Sequence, residues 1–251
     1  MRKRSALRWA LGGLVVLVLG VGAAGWWGWS LLRTAPTHWT QGRARLEALG
    51  PELGTRAESV EVRLLPAWSA PVRPGGTGVR TIEARYEEVN AWFAVRLRRY
   101  LANQGVAWPE AVGAVMLAGR GGRPVLAFDL STEGFEQIVS LTLGFPGSED
   151  PDAPAGLVVE KVEAGVLPMP AARLVGLLRA RVLPEGVDPG LAKLLDAVAD
   201  GTPIQPLVLP VDDLREAELL AVDAGDDVLS VTVRVRRKGA AGAAPPPSGD
   251  L

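Results

Sequence analysis

The hydrophobic and polar positions divide the chain into an uncharged N-terminal run and a longer region of strand and helix periods. No charged residue occurs between Trp9 and Leu32. At about 1.5 Å per residue, a helix of this length spans roughly 36 Å, which exceeds the approximately 30 Å thickness of a bilayer's hydrocarbon core. The run therefore predicts a transmembrane helix over residues 9–32.

The charges that flank this run predict its orientation. Four basic residues precede it and only Arg33 follows immediately, and basic flanks stay on the cytoplasmic side. We therefore expect residues 1–8 in the cytoplasm, residues 9–32 in the membrane and the rest of the chain on its outer face. The charged and aromatic residues expected at the two membrane interfaces are Arg4, Arg8, Trp9, Trp26, Trp27 and Trp29.

A cleaved signal peptide is the alternative interpretation of the same segment. The basic start, the apolar stretch and the small residues Val21 to Ala24 fit such a peptide. The uncharged run continues beyond Ala24, and this continuation contains three tryptophans, whereas the apolar part of a signal peptide usually ends within about 15 residues. We favour a retained anchor, and both interpretations export the domain that follows.

Residues 33–78 form the predicted membrane-proximal segment. The region Thr37–Leu49 has the spacing of a short helix and ends at a Gly-Pro pair. Apolar and charged residues alternate from Val60 to Leu64, which predicts a half-buried strand. Residues 65–78 are rich in proline and glycine, so we expect a linker or surface loop there.

Residues 79–238 contain the patterns of a folded α+β domain. A short strand, Val79 to Ala84, leads into a long helix whose apolar residues recur at helical spacing. We expect this stripe to pack on a sheet. Its residues are Val89, Trp92, Phe93, Leu97, Tyr100 and Leu101.

Strand patterns follow the long helix. Two of them flank Gly119–Gly122, whose glycines are typical of a hairpin turn. Two further strands are predicted at Gln137–Phe145 and Leu157–Ala164. Near the C-terminus a short strand at Leu207–Leu209 precedes a closing hairpin around Ala224–Asp227.

Two shorter helices complete the predicted domain. One is marked by Leu174, Leu177 and Leu178, and the other begins near Leu191. Residues 239–251 lack apolar periodicity and are expected to be disordered. The predicted fold class is α+β: a transmembrane helix, then one antiparallel sheet domain packed with a long helix and two shorter helices.

Composition and charge exclude several classes of function. The formal net charge is −1. The four basic residues of the N-terminal flank contribute +4, so the rest of the chain carries a net charge of −5. That balance argues against nucleic-acid binding. Without cysteine and with one histidine, familiar transition-metal and thiol sites cannot be assembled. His38 lies in the juxtamembrane segment, away from the predicted domain. Acidic pairs such as Asp226–Asp227 are expected to be solvated turns, so we predict no catalytic residue, metal or cofactor.

Two segments resemble the YpmS-like family of membrane-anchored bacterial proteins. Tyr86-Glu-Glu-Val-Asn90-Ala is similar to that family's E-x-L-N helix start, with Val89 in place of leucine. Gly165-Val-Leu-Pro168-Met-Pro170 and Leu183-Pro184-Glu185-Gly-Val187 are similar to its G-x-L-x-L-P and L-P-E-x-V region. The family's biochemical role is uncharacterised, so the resemblance implies architecture and location and no particular activity.

The functional hypothesis is a non-enzymatic, single-pass envelope protein whose exported domain binds a lipid, another apolar ligand or a partner protein beside the membrane. Membrane lipids and other envelope proteins are the expected partners. A structural scaffold for envelope proteins is the alternative, and a carboxylate-based hydrolase ranks last. The residues predicted to line either a ligand groove or the core are Val89, Trp92, Phe93, Leu97, Leu174, Leu177 and Leu178.

Overall fold

The computed structural model describes residues 30–69, 78–103, 105–133, 135–147, 154–183, 189–210 and 215–237. The predicted interface residues Arg4, Arg8, Trp9, Trp26, Trp27 and Trp29, and the tail at 239–251, lie outside these ranges. Most of the predicted transmembrane segment also lies outside them. Within the described ranges, no helix combines the length and the apolar character needed to cross a membrane.

The described chain has the predicted α+β composition. A single 3₁₀ turn, Gly50–Glu52, joins the first two helices, and a π-helical stretch, Phe93–Leu97, joins the third and fourth into one long helix over residues 86–103. The six α-helices are α1 (Thr37–Leu49), α2 (Leu53–Ser69), α3 (Tyr86–Trp92), α4 (Arg98–Asn103), α5 (Ala171–Arg181) and α6 (Pro189–Asp200).

The strands form two antiparallel sheets, so the prediction of one sheet was wrong. The strands are β1 (Val79–Arg85), β2 (Val112–Arg120), β3 (Arg123–Thr132), β4 (Phe135–Gly144), β5 (Val158–Ala164), β6 (Leu167–Pro168), β7 (Val208–Pro210), β8 (Arg215–Ala224) and β9 (Val228–Arg237). One sheet has the order β1-β9-β8-β7 and the other β2-β3-β4-β5-β6. The long helix separates β1 from β2 by roughly 27 Å of helix, and β1 instead pairs with the last strand.

The strand predicted at Val60–Leu64 was also wrong, because these residues belong to helix α2. Ala57 and Val60 are buried while Val62 is 63% exposed, which is a helical and not an alternating pattern. The spacing of Leu53, Ala57 and Val60 fits a helix, and the alternation of apolar and charged residues from Val60 to Leu64 fits a strand equally well. Residues 65–69 of the predicted linker continue this helix, and residues 70–77 lie outside the described part.

One face of the five-stranded sheet carries a closely packed apolar core under α5. Leu130, Val139, Val162 and Leu174 are each at most 3% exposed and contact one another across β3, β4, β5 and α5. The hairpin predicted at Gly119–Gly122 and the strand patterns of β4 and β5 are confirmed here. This core is the part of the fold that the apolar periods describe best.

Helix α1 packs on the opposite face of the same sheet. Trp39 of α1 is 7% exposed and contacts Met116 and Ala127. A Cβ atom at Gly42 would overlap the end of the Met116 side chain, so glycine allows the helix to lie close to β2. Helix α1 is thus an integral layer of the domain, although sequence analysis placed it in a membrane-proximal segment.

The segment that leads into α1 is also attached to the sheet. Gly165, in the turn between β5 and β6, has a φ of +59°. A Cβ atom at this position would overlap the carbonyl oxygens of Leu31 and Leu32. Only glycine meets both requirements, which gives a physical reason for the glycine of the Gly165–Pro170 motif.

The four-stranded sheet has its own apolar core. Ile82, Leu219 and Val233 are buried together on β1, β8 and β9. The backbone N–H of Ala155 donates to the carbonyl of Leu219 at 2.8 Å. This hydrogen bond connects the segment just before β5 to the four-stranded sheet.

Asn90 joins the long helix to strand β2. Its side-chain amide donates to the carbonyl of Leu117 at 2.8 Å and accepts from the Leu117 N–H at 2.6 Å. Asn90 is 5% exposed, and both of its hydrogen bonds go to one residue of the outermost strand. Asn90, the asparagine of the segment that resembles the E-x-L-N motif, therefore has a structural role at the helix–sheet junction.

Candidate binding groove

A groove of 510 Å³ runs between α1, the long helix and the first half of strand β2. Its volume lies within the range of roughly 300–1,000 Å³ that is usual for ligand sites. The apolar residues that line it are Leu46, Leu53, Phe93, Ala94, Leu97, Trp108, Ala114, Val115 and Met116.

The groove follows the π-helical stretch of the long helix. Phe93, Ala94 and Leu97 all come from this stretch and all line the groove. π-Helical stretches are rare in proteins, and they are found frequently at functional sites. The π-helical stretch and the groove therefore lie at the same position in the fold.

Charged residues stand on both walls of the groove. On the α1 wall, Arg43 pairs with Glu47 one turn later at 3.5 Å. On the long-helix wall, Arg98 Nη2 donates to the carbonyls of Gly113 and Val112 at 3.3 and 3.5 Å. The guanidinium carbon of Arg98 also lies 5.3 Å from the centre of the Trp108 ring, a cation–π distance.

Trp108 fixes this end of the groove. Its indole Nε1 donates to the carbonyl of Val112 at 2.6 Å. The carboxyl of Asp129 lies on the other side of Gly113, where a Cβ atom would contact it. Burial raises the pKa of Asp129, with a further rise from Glu136 and an opposing effect of Arg43.

The predicted ligand-binding residues of the long helix are divided by the structure. Phe93 and Leu97 line the groove. Trp92 faces α2, where its indole Nε1 donates to Glu61 at 3.1 Å and its ring packs edge-on against Tyr100. The prediction that the whole stripe packs on the sheet was therefore wrong for Trp92, because α2 covers that side of the helix. Val89 is half-buried and does not line the groove.

Leu174, Leu177 and Leu178 lie elsewhere, in the core under α5. Leu174 is 1% exposed and packs against β3, β4 and β5. The five-stranded sheet separates these leucines from the groove, so the seven predicted residues do not form one site.

A smaller cavity of 90 Å³ lies on the other side of α1. It is bordered by Tyr86, which is 4% exposed and whose hydroxyl has no hydrogen-bond partner in the described part of the chain. Burial raises the pKa of Tyr86 to about 12, and Asp223 and Asp226 add to the effect. Leu46 borders both this cavity and the groove.

His38 is attached to the sheet, so its predicted separation from the domain was wrong. Its Nε2 is hydrogen bonded to the hydroxyl of Ser140 on β4 at 3.1 Å, because α1 packs on that face. Burial lowers the pKa of the imidazole below its usual 6.5, the Arg120 cation lowers it further, and Glu163 opposes them. Ser140 is only 1% exposed, whereas His38 is half-buried and borders the 90 Å³ cavity, so only the serine of this pair is enclosed.

The acidic residues of the described ranges do not converge on a metal site. Within those ranges no three histidine, aspartate or glutamate side chains come together. Asp227 pairs with Arg45 at 3.0 Å, and Glu163 pairs with Arg120 and Lys161 at 3.1 and 2.7 Å. Asp212–Asp213, a second acidic pair of the sequence, lies outside the described part of the chain.

Sequence reasoning missed the residues that the groove takes from other elements. The spacing of Leu46 on α1 gives no indication of a cavity. From the sequence, Arg98 fits either a solvated helix face or a contact with anionic lipid head groups, and neither interpretation predicts that it borders a groove together with Trp108. These residues meet through long-range packing, for which the sequence pattern has no signal.

Comparison with protein-family models, with curated proteins and with solved structures gives no match. The resemblance to the YpmS-like family therefore stays a prediction. The structure does give physical reasons for two of its motif residues, Asn90 and Gly165.

Proposed function

We propose that this protein is a single-pass, membrane-anchored bacterial envelope protein whose exported domain binds the acyl chain of a lipid in the 510 Å³ groove. The observation that carries the proposal is the groove itself, an apolar channel beside a π-helical stretch. Its lining of aliphatic and aromatic side chains suits a hydrocarbon chain, since each buried CH₂ group contributes about 0.8 kcal/mol.

The membrane anchor is supported by the sequence. The uncharged run from Trp9 to Leu32 has its basic flank on one side only. An anchor of this kind would hold the groove near a bilayer, which supplies acyl chains at high local concentration. Intact-mass measurement of membrane-extracted protein tests the anchor, and a mature chain that begins near Ala24 would refute it.

Binding is favoured over catalysis by the surroundings of the titratable groups. Ser140, the partner of His38, is buried, and the buried acids Glu88, Glu163 and Glu218 each form an ion pair with an arginine. These groups stabilise the packing of helices and strands. The groove itself is lined mainly by groups that do not transfer protons.

Lipid binding is tested by photo-crosslinking of the full chain in membrane vesicles. A phospholipid with a diazirine in its acyl chain is activated by light, and the labelled peptides are identified by mass spectrometry. We expect labels on residues 93–98 and 108–116, which border the groove. Ala94→Phe should abolish these labels because the new ring fills the groove.

Ala102→Phe is the matched control, since Ala102 is an exposed alanine of the same long helix that does not line the groove. It should leave the labelling unchanged. Labels confined to residues 9–32 would show contact with bulk bilayer lipid alone and would refute the proposal. A groove filled by another segment of this chain would give the same negative result, and internal crosslinks would reveal that segment.

A further inference from the structure

We infer that the ligand of the groove carries an anionic oxygen group, a carboxylate or a phosphate, that binds to Arg98. This inference rests on the proposed function and names the head group that accompanies the acyl chain. It is carried by the position of Arg98 on the groove wall and by the partners that hold its side chain.

The positive charge of Arg98 is not matched by an acid within the described ranges. Its recorded partners are two backbone carbonyls and the face of Trp108, all of which are uncharged. No ion pair joins it to Asp129, the acid beside Gly113. Arg43 on the opposite wall differs, because it forms an ion pair with Glu47 at 3.5 Å. Of the two arginines that line the groove, Arg98 is therefore the one without an acidic partner in the described ranges.

The guanidinium of Arg98 is exposed and keeps donors available. Both of its hydrogen bonds leave from Nη2, and Trp108 packs against the group. A guanidinium has five N–H donors, so the Nε and Nη1 donors are not used within the described part of the chain.

This geometry suits an anionic oxygen group better than other head groups. A guanidinium presents a planar fork that matches a carboxylate or phosphate through two parallel hydrogen bonds. A neutral hydroxyl would gain much less, and a quaternary ammonium would be repelled.

The test uses four photoactivatable probes that share one diazirine-bearing dodecyl chain and differ only in head group: carboxylate, phosphate, hydroxyl and trimethylammonium. The full chain in vesicles is labelled below saturation, and labels on the groove peptides are quantified. We expect the carboxylate or the phosphate probe to label the groove roughly tenfold or more above the hydroxyl probe. The relative labelling by these two acids distinguishes a free fatty acid from a lipid phosphate.

Three variants assign the effect to Arg98. Arg98→Gln should remove the preference for anionic probes, and Arg98→Lys should retain part of it because the charge remains. Arg99→Gln is the matched control, since Arg99 is exposed and does not line the groove, and it should behave as the wild type. Thermal unfolding of each variant separates lost binding from lost structure.

The outcomes separate this inference from the proposed function. Equal labelling of the groove by all four probes, or a preference that survives in Arg98→Gln, would overturn the head-group inference and leave acyl-chain binding intact. Labelling of the groove by none of the probes would overturn both.

Discussion

The two faces of the five-stranded sheet are built in different ways. Under α5, Leu130, Val139, Val162 and Leu174 form a closed apolar core. Under α1, the buried cluster of Trp39, Met116 and Ala127 is smaller. Polar groups lie beside it, where His38 of the helix meets Ser140 of the sheet, and a cavity lies on each side of the helix. One sheet therefore has a closely packed face under α5 and a face with open space beside α1.

This difference shows where the stability of the domain resides. Burial of apolar area dominates folding free energy, and the α5 face has the larger apolar cluster of the two faces. The α1 face is held by fewer apolar contacts together with hydrogen bonds of buried polar groups, which fix geometry with a smaller net gain in free energy. A helix held in this way leaves open space beside it without destabilising the sheet below.

The largest expected effect is on the α5 face. Leu174→Ala removes a side chain that is 1% exposed and leaves a cavity, so it should lower the free energy of unfolding by about 3–5 kcal/mol. Leu46→Ala, at a half-buried leucine that borders both cavities, should cost about 1 kcal/mol, because the space around it already exists. Chemical denaturation of the two variants measures the contrast, and equal losses would remove it.

A smaller effect is expected for the polar junction between the long helix and β2. Asn90→Ala leaves the N–H and carbonyl of Leu117 without their partner in a buried place, so we expect a loss of about 2–3 kcal/mol. Asn103→Ala, at an exposed asparagine in α4, is the control and should change stability little. Hydrogen exchange of the Leu117 amide should rise in Asn90→Ala, and an unchanged amide would contradict the assigned role.

The smallest expected effect is the pH dependence of the α1 face. The pKa of His38 is lowered in the folded state, so below the ordinary value of 6.5 the unfolded state binds more protons than the folded state. Stability from this group is therefore complete above pH 6.5 and is lost as the pH falls below it. Denaturation between about pH 8 and about pH 5 should show the loss.

The matched variant for this measurement is His38→Gln, which keeps a hydrogen-bonding side chain opposite Ser140 but does not titrate. Its stability should stay nearly flat over the same interval. A wild-type slope that persists in His38→Gln would assign the pH dependence to other groups. Leu174→Ala should retain the slope, since the α5 face contains no part of it.

The sequence predicted the α5 face better than the α1 face, for a physical reason. Strands β3, β4 and β5 and helix α5 bury one side of a regular period, so alternation and leucine spacing reveal them. The glycines of the Gly119–Gly122 turn fix the first hairpin in the same way. These signals are local and do not depend on which elements meet.

The α1 face depends on contacts between distant parts of the chain. His38 meets Ser140 across 102 positions, and Asn90 meets Leu117 across 27. The segment Val60–Leu64 satisfies both periods, and its choice of helix is decided by packing against the long helix. The π-helical stretch has no periodic signature at all. The groove could therefore not be predicted from the pattern alone.

The hydrogen bonds of Asn90 have a further consequence for how copies of this protein meet. Strand β2 is the outer strand of its sheet, and an unpaired edge is a template on which another chain can add a strand. Asn90 occupies both pairing groups of Leu117, while Trp108 and Arg98 occupy the carbonyl of Val112. Side chains of the protein itself thus stand where a neighbouring strand would bind, and they oppose aggregation through that edge.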